Sequence, residues 1–316
     1  MKHLFKQWET TLALVLIIEF TAFAILSPYF LDVWTLSDAS FNFTERGIVA
    51  LPLALLVIAG EIDISVAAIM ALASVAMGSA AAQGYGSGVL LAVGLIVGFA
   101  CGAVNGVLVT IARVPSIVTT IGTMTLFRGA AYAILGDRVL KDYPQSFANF
   151  GQGYAVGPMS WELIVFLAIA ITAALLLHYT RWGRAIYAIG ANATATRYSG
   201  IAVDRYKSWL FCATGTLCGL AAVMLTSRLG STRPSIAQGW ELEIISMVVL
   251  GGISVWGGKG RILGVVLAAV ILGLINFGLG LMNVPGIVMS IFVGVLLIAV
   301  VAIPTLQRGA RSAQPG

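Results

Sequence analysis

Between Asp63 and Arg113 the chain carries no charged residue. The run divides into two apolar segments, 64–83 and 89–111, separated by a short polar turn. Each has about the 20 residues that an α-helix needs to cross the hydrocarbon of a bilayer. The rest of the chain repeats this pattern. Further apolar segments read as 10–26, 47–59, 116–135, 161–177, 208–226, 244–256, 262–282 and 287–303. Over 316 residues, 59% are hydrophobic and 10% charged, against about 25% charged in an average soluble domain. Such a chain cannot cover a water-facing surface, so lipid is its solvent. Backbone groups in lipid must bond within their own segment, which selects helices. The expected fold is all-α and polytopic: about ten transmembrane helices in a single transmembrane domain, 1–316.

Several function classes drop out. Cys101, Cys212 and Cys218 fall inside apolar segments, where cysteine acts as a small hydrophobe. His3 and His178 flank such segments, and no His, Cys and carboxylate cluster has metal-ligand spacing. The net charge of +5 comes from basic residues scattered at segment ends, which gives no nucleic-acid surface. Gly257-Gly-Lys-Gly-Arg261 resembles a phosphate loop, but it lacks the earlier glycine, and Gly260 stands where Ser or Thr must hold magnesium. Energy for any work must therefore come from a partner or an ion gradient. Asn42-Phe-Thr44 and Asn192-Ala-Thr194 match a glycosylation pattern only weakly. The start, with Ala22-Phe-Ala24 after an apolar run, mimics a secretory signal. The length of the run and Glu19 within it favour an uncleaved first span.

Orientation follows from Lys and Arg, which concentrate in cytosolic loops. With the N-terminus inside, the inner side holds Lys2, Lys6, Arg113, Arg181, Arg184, Arg197, Arg205, Lys207, Lys259, Arg261, Arg308 and Arg311. Arg46, Arg128, Arg138, Lys141, Arg228 and Arg233 remain outside or in the membrane. Both termini and the loop 178–207 are thus expected in the cytosol. Within that loop Asn192 suits an N-cap, Ala193–Ser199 a helix of about two turns, and Gly200 a left-handed C-cap. The loop reads either as a gripping surface or as a plain basic connection.

Segments 47–59 and 244–256 are too short to span alone. Each runs into a break, at Gly60-Glu-Ile-Asp63 and at Gly257-Gly-Lys-Gly260. Paired interrupted segments point to a transport pathway. Val114-Pro-Ser-Ile-Val-Thr-Thr-Ile121 echoes Val284-Pro-Gly-Ile-Val-Met-Ser-Ile291 on the other side of the membrane, as an inverted repeat requires. Gly94, Gly98, Gly102 and Gly106 form a ladder for close helix approach, either as a seam beside the pathway or as plain packing. Ser160 and Glu162 suit the start of the sixth segment. Glu61 and Asp63 read as substrate or gate contacts, as a proton relay, or as a solvated turn, and Glu19 and Arg128 as an ion pair, cavity-facing groups or substrate contacts. The outer loops, 27–46, 136–160 and 227–243, carry mixed charge that suits a soluble partner or simple solvated caps.

Three ordered motifs carry a resemblance: Gly60-Glu-Ile-Asp-Ile-Ser-Val66; Gly183-Arg184 through Gly190-Ala-Asn192 with Arg197-Tyr-Ser-Gly-Ile201; and Val249-Leu-Gly-Gly-Ile253 to Gly258. They resemble the permease subunits of bacterial ABC importers for monosaccharides, a ribose-type group related to branched-chain amino acid permeases. The likeness covers about residues 8–304. The stretch Ser227–Glu243, with Ser37–Thr44, looks like rhamnose-importing members. Trp8-Glu9 and Ile17-Ile-Glu19 look like autoinducer-2-importing members. Glu61 departs from the glycine usual in the family.

The resemblance implies a multi-pass permease of the bacterial inner membrane that carries a monosaccharide, rhamnose first, by alternating access. Autoinducer-2 or ribose-type import is the alternative, and a proton-coupled secondary carrier using Glu19, Glu61 and Asp63 a more distant one. It implies no cofactor and no covalent chemistry of its own. Its implied partners are a cytosolic ATPase that hydrolyses ATP, a periplasmic sugar-binding protein, membrane lipid, and a second permease copy or paralogue. Asn192, Ala195, Arg197, Tyr198, Gly200 and Ile201 would form the coupling helix gripped by the ATPase. Gly60, Glu61, Asp63, Ser65, Asn105, Gly251 and Gly252 would line the pathway.

Overall fold

The computed structural model describes residues 8–289 together with 291, 294 and 295. The elements run α1 (Trp8–Leu26), α2 (Val33–Ser40), α3 (Thr44–Ile58), α4 (Val66–Ala81), α5 (Ser87–Thr110) and α6 (Ser116–Leu135). After a 3-10 turn come α7 (Asn149–Gln152) and a small hairpin of β1 (Tyr154–Val156) and β2 (Met159–Ser160). The chain continues with α8 (Trp161–Tyr179), α9 (Arg181–Ala191), α10 (Ala193–Tyr198), α11 (Val203–Leu229), α12 (Trp240–Leu250) and α13 (Ile262–Leu281). The fold is all-α and polytopic.

Among the described residues α1, α5, α6, α8, α11 and α13 are long and apolar enough to cross a membrane. The pair α2 and α3, bent by 42° at the break between them, makes a seventh if the two are one span. The segment expected at 47–59 is thus not isolated: Asp32 caps α2, accepting from Trp34 N at 3.1 Å and Thr35 N at 3.0 Å, and α2 leads into α3. The segment expected at 244–256 is α12, which already ends at Leu250, so its break begins at Gly251. The seventh segment starts earlier than 208, because α11 begins at Val203. The last expected segment, 287–303, lies almost wholly outside the described residues. So do Lys2, Lys6, Arg308 and Arg311.

α3 is the axis of the bundle. Every residue in it except Arg46 is buried, against α8, α11, α12 and α13. A helix apolar on all sides is buried by protein on all sides. Pro52 lies inside it and removes one ladder hydrogen bond, a loss a wrapped helix tolerates better than a lipid-facing one.

The glycine ladder of α5 meets a matching ladder on α11. A Cβ on Gly98 would strike Gly215 O, one on Gly215 would strike Gly98 O, and one on Gly219 would strike Gly94 O. The two backbones interlock, gaining dispersion that lipid tails cannot match. The ladder lies within the protein as a packing seam.

The end of the bundle near Glu45 is closed by ion pairs. Arg228 donates to both oxygens of Glu45, at 2.8 and 2.7 Å. Arg46 Nε lies 2.9 Å from Glu243 Oε2, and its guanidinium stands 4.1 Å above the Trp240 ring. Ser160 caps α8 as expected, accepting from Leu163 N at 3.2 Å. Glu162 is fully buried and accepts from Thr44 Oγ1 at 2.9 Å. Outside the spans, Tyr154 donates to Asp38 at 2.7 Å, a bond that holds its phenol above the ordinary value.

The repeated Val-Pro motifs fall at opposite ends. Val114-Pro115 precedes α6 at the end carrying Arg113, and Val284-Pro285 follows α13 at the end carrying Glu45.

Candidate functional site at the basic end

The loop 178–207 holds two helices where one was expected. Thr180 caps α9, accepting from Gly183 N at 3.3 Å. α9 buries Gly183, Ala185, Ile186 and Ile189 on one face. Its period-3.6 pattern, Ala185, Ile186, Ile189, was visible in the sequence but was masked by the arginines around it.

α10 follows after one residue. Asn192 Oδ1 accepts from Ala195 N at 2.9 Å, the N-cap read from sequence. Gly200 has φ +84° and closes the segment in the left-handed region. Thr196 Oγ1 donates to Ala188 O at 2.8 Å and ties α10 to α9. Arg197 donates to Asp204 at 2.6 Å, and Arg113 reaches the same carboxylate at 3.4 Å. Ala195 is exposed, Ile201 packs on the core, and Tyr198 stands 89% exposed. Asn192→Ala should cost about 1 kcal/mol of local stability, the usual value of an N-cap. Hydrogen exchange at the Ala195 amide should accelerate roughly fivefold to tenfold; unchanged exchange would remove the cap from the account.

Both breaks lie directly beneath this loop. Gly258 N donates to Ile58 O at 2.8 Å, joining the end of α3 to the loop after α12. A Cβ on Gly257 would lie 3.1 Å from Gly60 Cα and 3.2 Å from Gly190 Cα. A Cβ on Gly190 would strike Ile58 O and Gly258 N. Tyr187 Oη donates to Gly260 O at 2.6 Å. Three segments far apart in sequence thus meet backbone to backbone.

Asp63 is not part of a solvated turn. It is fully buried with Ser65 and Asn105. Its Oδ1 accepts from Ser65 N at 2.8 Å and Ser65 Oγ at 2.6 Å, and its Oδ2 from Asn105 Nδ2 at 3.2 Å. Asn105 Nδ2 also donates to Ser65 Oγ at 2.9 Å. Ser116 Oγ accepts from Ile62 N at 3.3 Å. The bracket fastens the break to α5 and α6. Glu61 accepts from Lys207 Nζ. The two line a cavity of about 240 Å³ with Arg113, Arg197 and Asp204. Sequence reasoning placed Lys207 among loop charges and missed the pair, because 146 residues separate the partners.

Gly251 and Gly252 do not join this cluster. Gly251 packs on Val265 and Gly264 of α13. Gly252 lies against the Trp8 ring, whose Nε1 donates to Leu250 O at 2.7 Å. The expected pathway residues therefore fall into two groups, Gly60, Glu61, Asp63, Ser65 and Asn105 in one and the α12–α13 turn in the other. Glu19 and Arg128 do not pair; Arg128 donates instead to Pro234 O at 2.7 Å and Ile236 O at 2.8 Å.

The structure is an α-helical membrane bundle whose broken spans meet at a glycine-lined backbone junction. The family described as branched-chain amino acid transport system / permease component matches residues 36–301, and the chain belongs to it. The chain is similar to the autoinducer 2 import system permease protein LsrD of Salmonella typhimurium LT2, 35% identical over 301 residues, covering 93% of this chain and 90% of the relative. The same protein of Escherichia coli K12 DH10B is 35% identical over 300 residues, covering 93% and 91%. No solved structure matches the chain. It is a multi-pass membrane permease and not an enzyme.

Proposed function

We propose that the chain is the permease subunit of an ABC importer for autoinducer 2 in a bacterial inner membrane, with both termini cytosolic. Two permeases, copies or paralogues, form the pathway. A periplasmic binding protein delivers the solute, and a cytosolic ATPase supplies the energy. The observation that carries this reading is the α9–α10 unit: α10 is exposed, capped by Asn192 and tied by Thr196 to α9, whose Gly190 and Ala191 sit on the glycine junction of both broken spans. Displacing α10 moves α9, and with it the end of α3 and the loop after α12 that meet at Gly190. The name of the two relatives supports autoinducer 2 over the rhamnose suggested by Ser227–Glu243. The buried Asp63 and the paired Glu61 give the proton-coupled reading no open relay at this end.

Reconstitution with the ATPase and binding protein tests the proposal. Autoinducer 2 uptake should require ATP and ignore an uncoupler, and rhamnose and ribose should not compete. Uptake that persists without the ATPase, or collapses with the uncoupler at constant ATP, would refute it. Arg197→Glu places a second carboxylate beside Asp204 and should cut ATP-driven uptake by at least about tenfold, roughly 1.4 kcal/mol of coupling, with insertion unchanged.

A further inference from the structure

The geometry points to a solute-binding wall on α6, the turn that leads into α12 and the first turn of that helix, formed by Thr125, Arg128, Tyr132, Gln238 and Glu241. It rests on the importer reading given above. These residues line a cavity of about 350 Å³, a size that suits a small molecule. Thr125, Arg128 and Tyr132 recur at helical spacing on one face of α6. Arg128 lies about 18 Å along the helix from Ser116, at hydrocarbon depth. A cation at that depth faces a protein interior or water, not lipid.

Arg128 is only partly engaged. Both of its hydrogen bonds come from Nη1, to Pro234 O and Ile236 O; Nε and Nη2 make none among the described residues. The carbonyls hold the guanidinium in place and leave two nitrogens to donate elsewhere. Glu241 and Gln238 line the same cavity as acceptors, beside the Tyr132 ring. Interleaved donors and acceptors next to an aromatic face recognise a neutral solute rich in hydroxyls. Gly129 also lines the cavity, and a Cβ there meets nothing within 4 Å, so a side chain placed at 129 enters open space. The sequence offers Arg128 as a cavity-facing group or substrate contact; the other wall residues lie outside both halves of the expected pathway. They form a surface that a second permease would complete from the other side.

The test uses the full complex with its ATPase and binding protein. Gly129→Cys, in a Cys212→Ser background because Cys101 and Cys218 are buried, should react with a charged, water-borne thiosulfonate, and autoinducer 2 should slow that reaction. Gly129→Leu should abolish uptake without loss of assembly. Arg128→Gln should raise the KM for uptake roughly tenfold, the effect of one lost charge-assisted hydrogen bond. An unreactive thiol at 129, or parental uptake by Gly129→Leu, overturns the inference. If Arg128→Gln fails to assemble, the two Gly129 variants decide. A parent complex that imports no autoinducer 2 refutes the proposed function instead, and the thiol's reactivity still reports whether this wall meets water.

Discussion

Gly98→Leu should abolish the folded protein. The new Cβ would strike Gly215 O, a backbone atom that moves only if α5 and α11 separate. Ordinary overpacking of a core costs about 1–3 kcal/mol because side chains give way; here no side chain stands between the helices. The same collision recurs at Gly215 and Gly219, so parting the helices at one rung loosens the others. The variant should elute as aggregate in size-exclusion chromatography of detergent extracts, whereas Gly129→Leu elutes as the parent does. A monodisperse Gly98→Leu protein with parental uptake would contradict this account of the seam.

Gly190→Val should leave a folded protein that does not transport. Its Cβ would strike Ile58 O and Gly258 N, the two atoms of the hydrogen bond that joins the broken spans. The damage lies on α9, which carries α10, and away from the α5–α11 seam, so assembly survives while the α9–α10 unit loses its rigid seat. ATP-driven uptake should fall by at least about a hundredfold, roughly 2.7 kcal/mol. ATP hydrolysis should become insensitive to loaded binding protein. Gly200→Ala gives the contrast. It forces a side chain into the left-handed region with open space around it, at about 1–2 kcal/mol, and should reduce uptake far less. Equal losses in the two variants would mean that the junction holds no special place in coupling.

The sequence made the membrane class, the capped helix at Asn192–Gly200 and one side of the glycine seam legible, because each rests on local pattern. Hydropathy, N-cap chemistry and four-residue spacing all act within a few turns. The partner ladder on α11 was not legible, since Gly215 and Gly219 gain meaning only opposite Gly98 and Gly94. Asp63 was misjudged in one alternative for the same reason. Its donors are Ser65, two residues on, and Asn105, 42 residues on, and only folding brings the second. Glu61 is legible as a charge at a helix break, but its partner Lys207 lies 146 residues on, among the basic residues of the loop 178–207. The expected pathway residues fall into two groups because Gly251 and Gly252 lie where the second break starts, in a turn packed against α13 and Trp8, whereas its later glycines, Gly257 and Gly258, meet Gly60, Gly190 and Ala191 at the junction.

The burial of α3 also sets an order of events during synthesis. The helix leaves the ribosome early, yet what surrounds it comes later: α8, α11, α12 and α13. Glu45 must wait 183 residues for Arg228, and Arg46 must wait for Glu243. A nascent chain elongates at about 5–20 residues per second, so these groups pass on the order of ten seconds or more without their partners. Chains truncated after α8 should therefore hold α3 loosely and be degraded quickly. Those that extend past α13 should become protease-resistant in one late step.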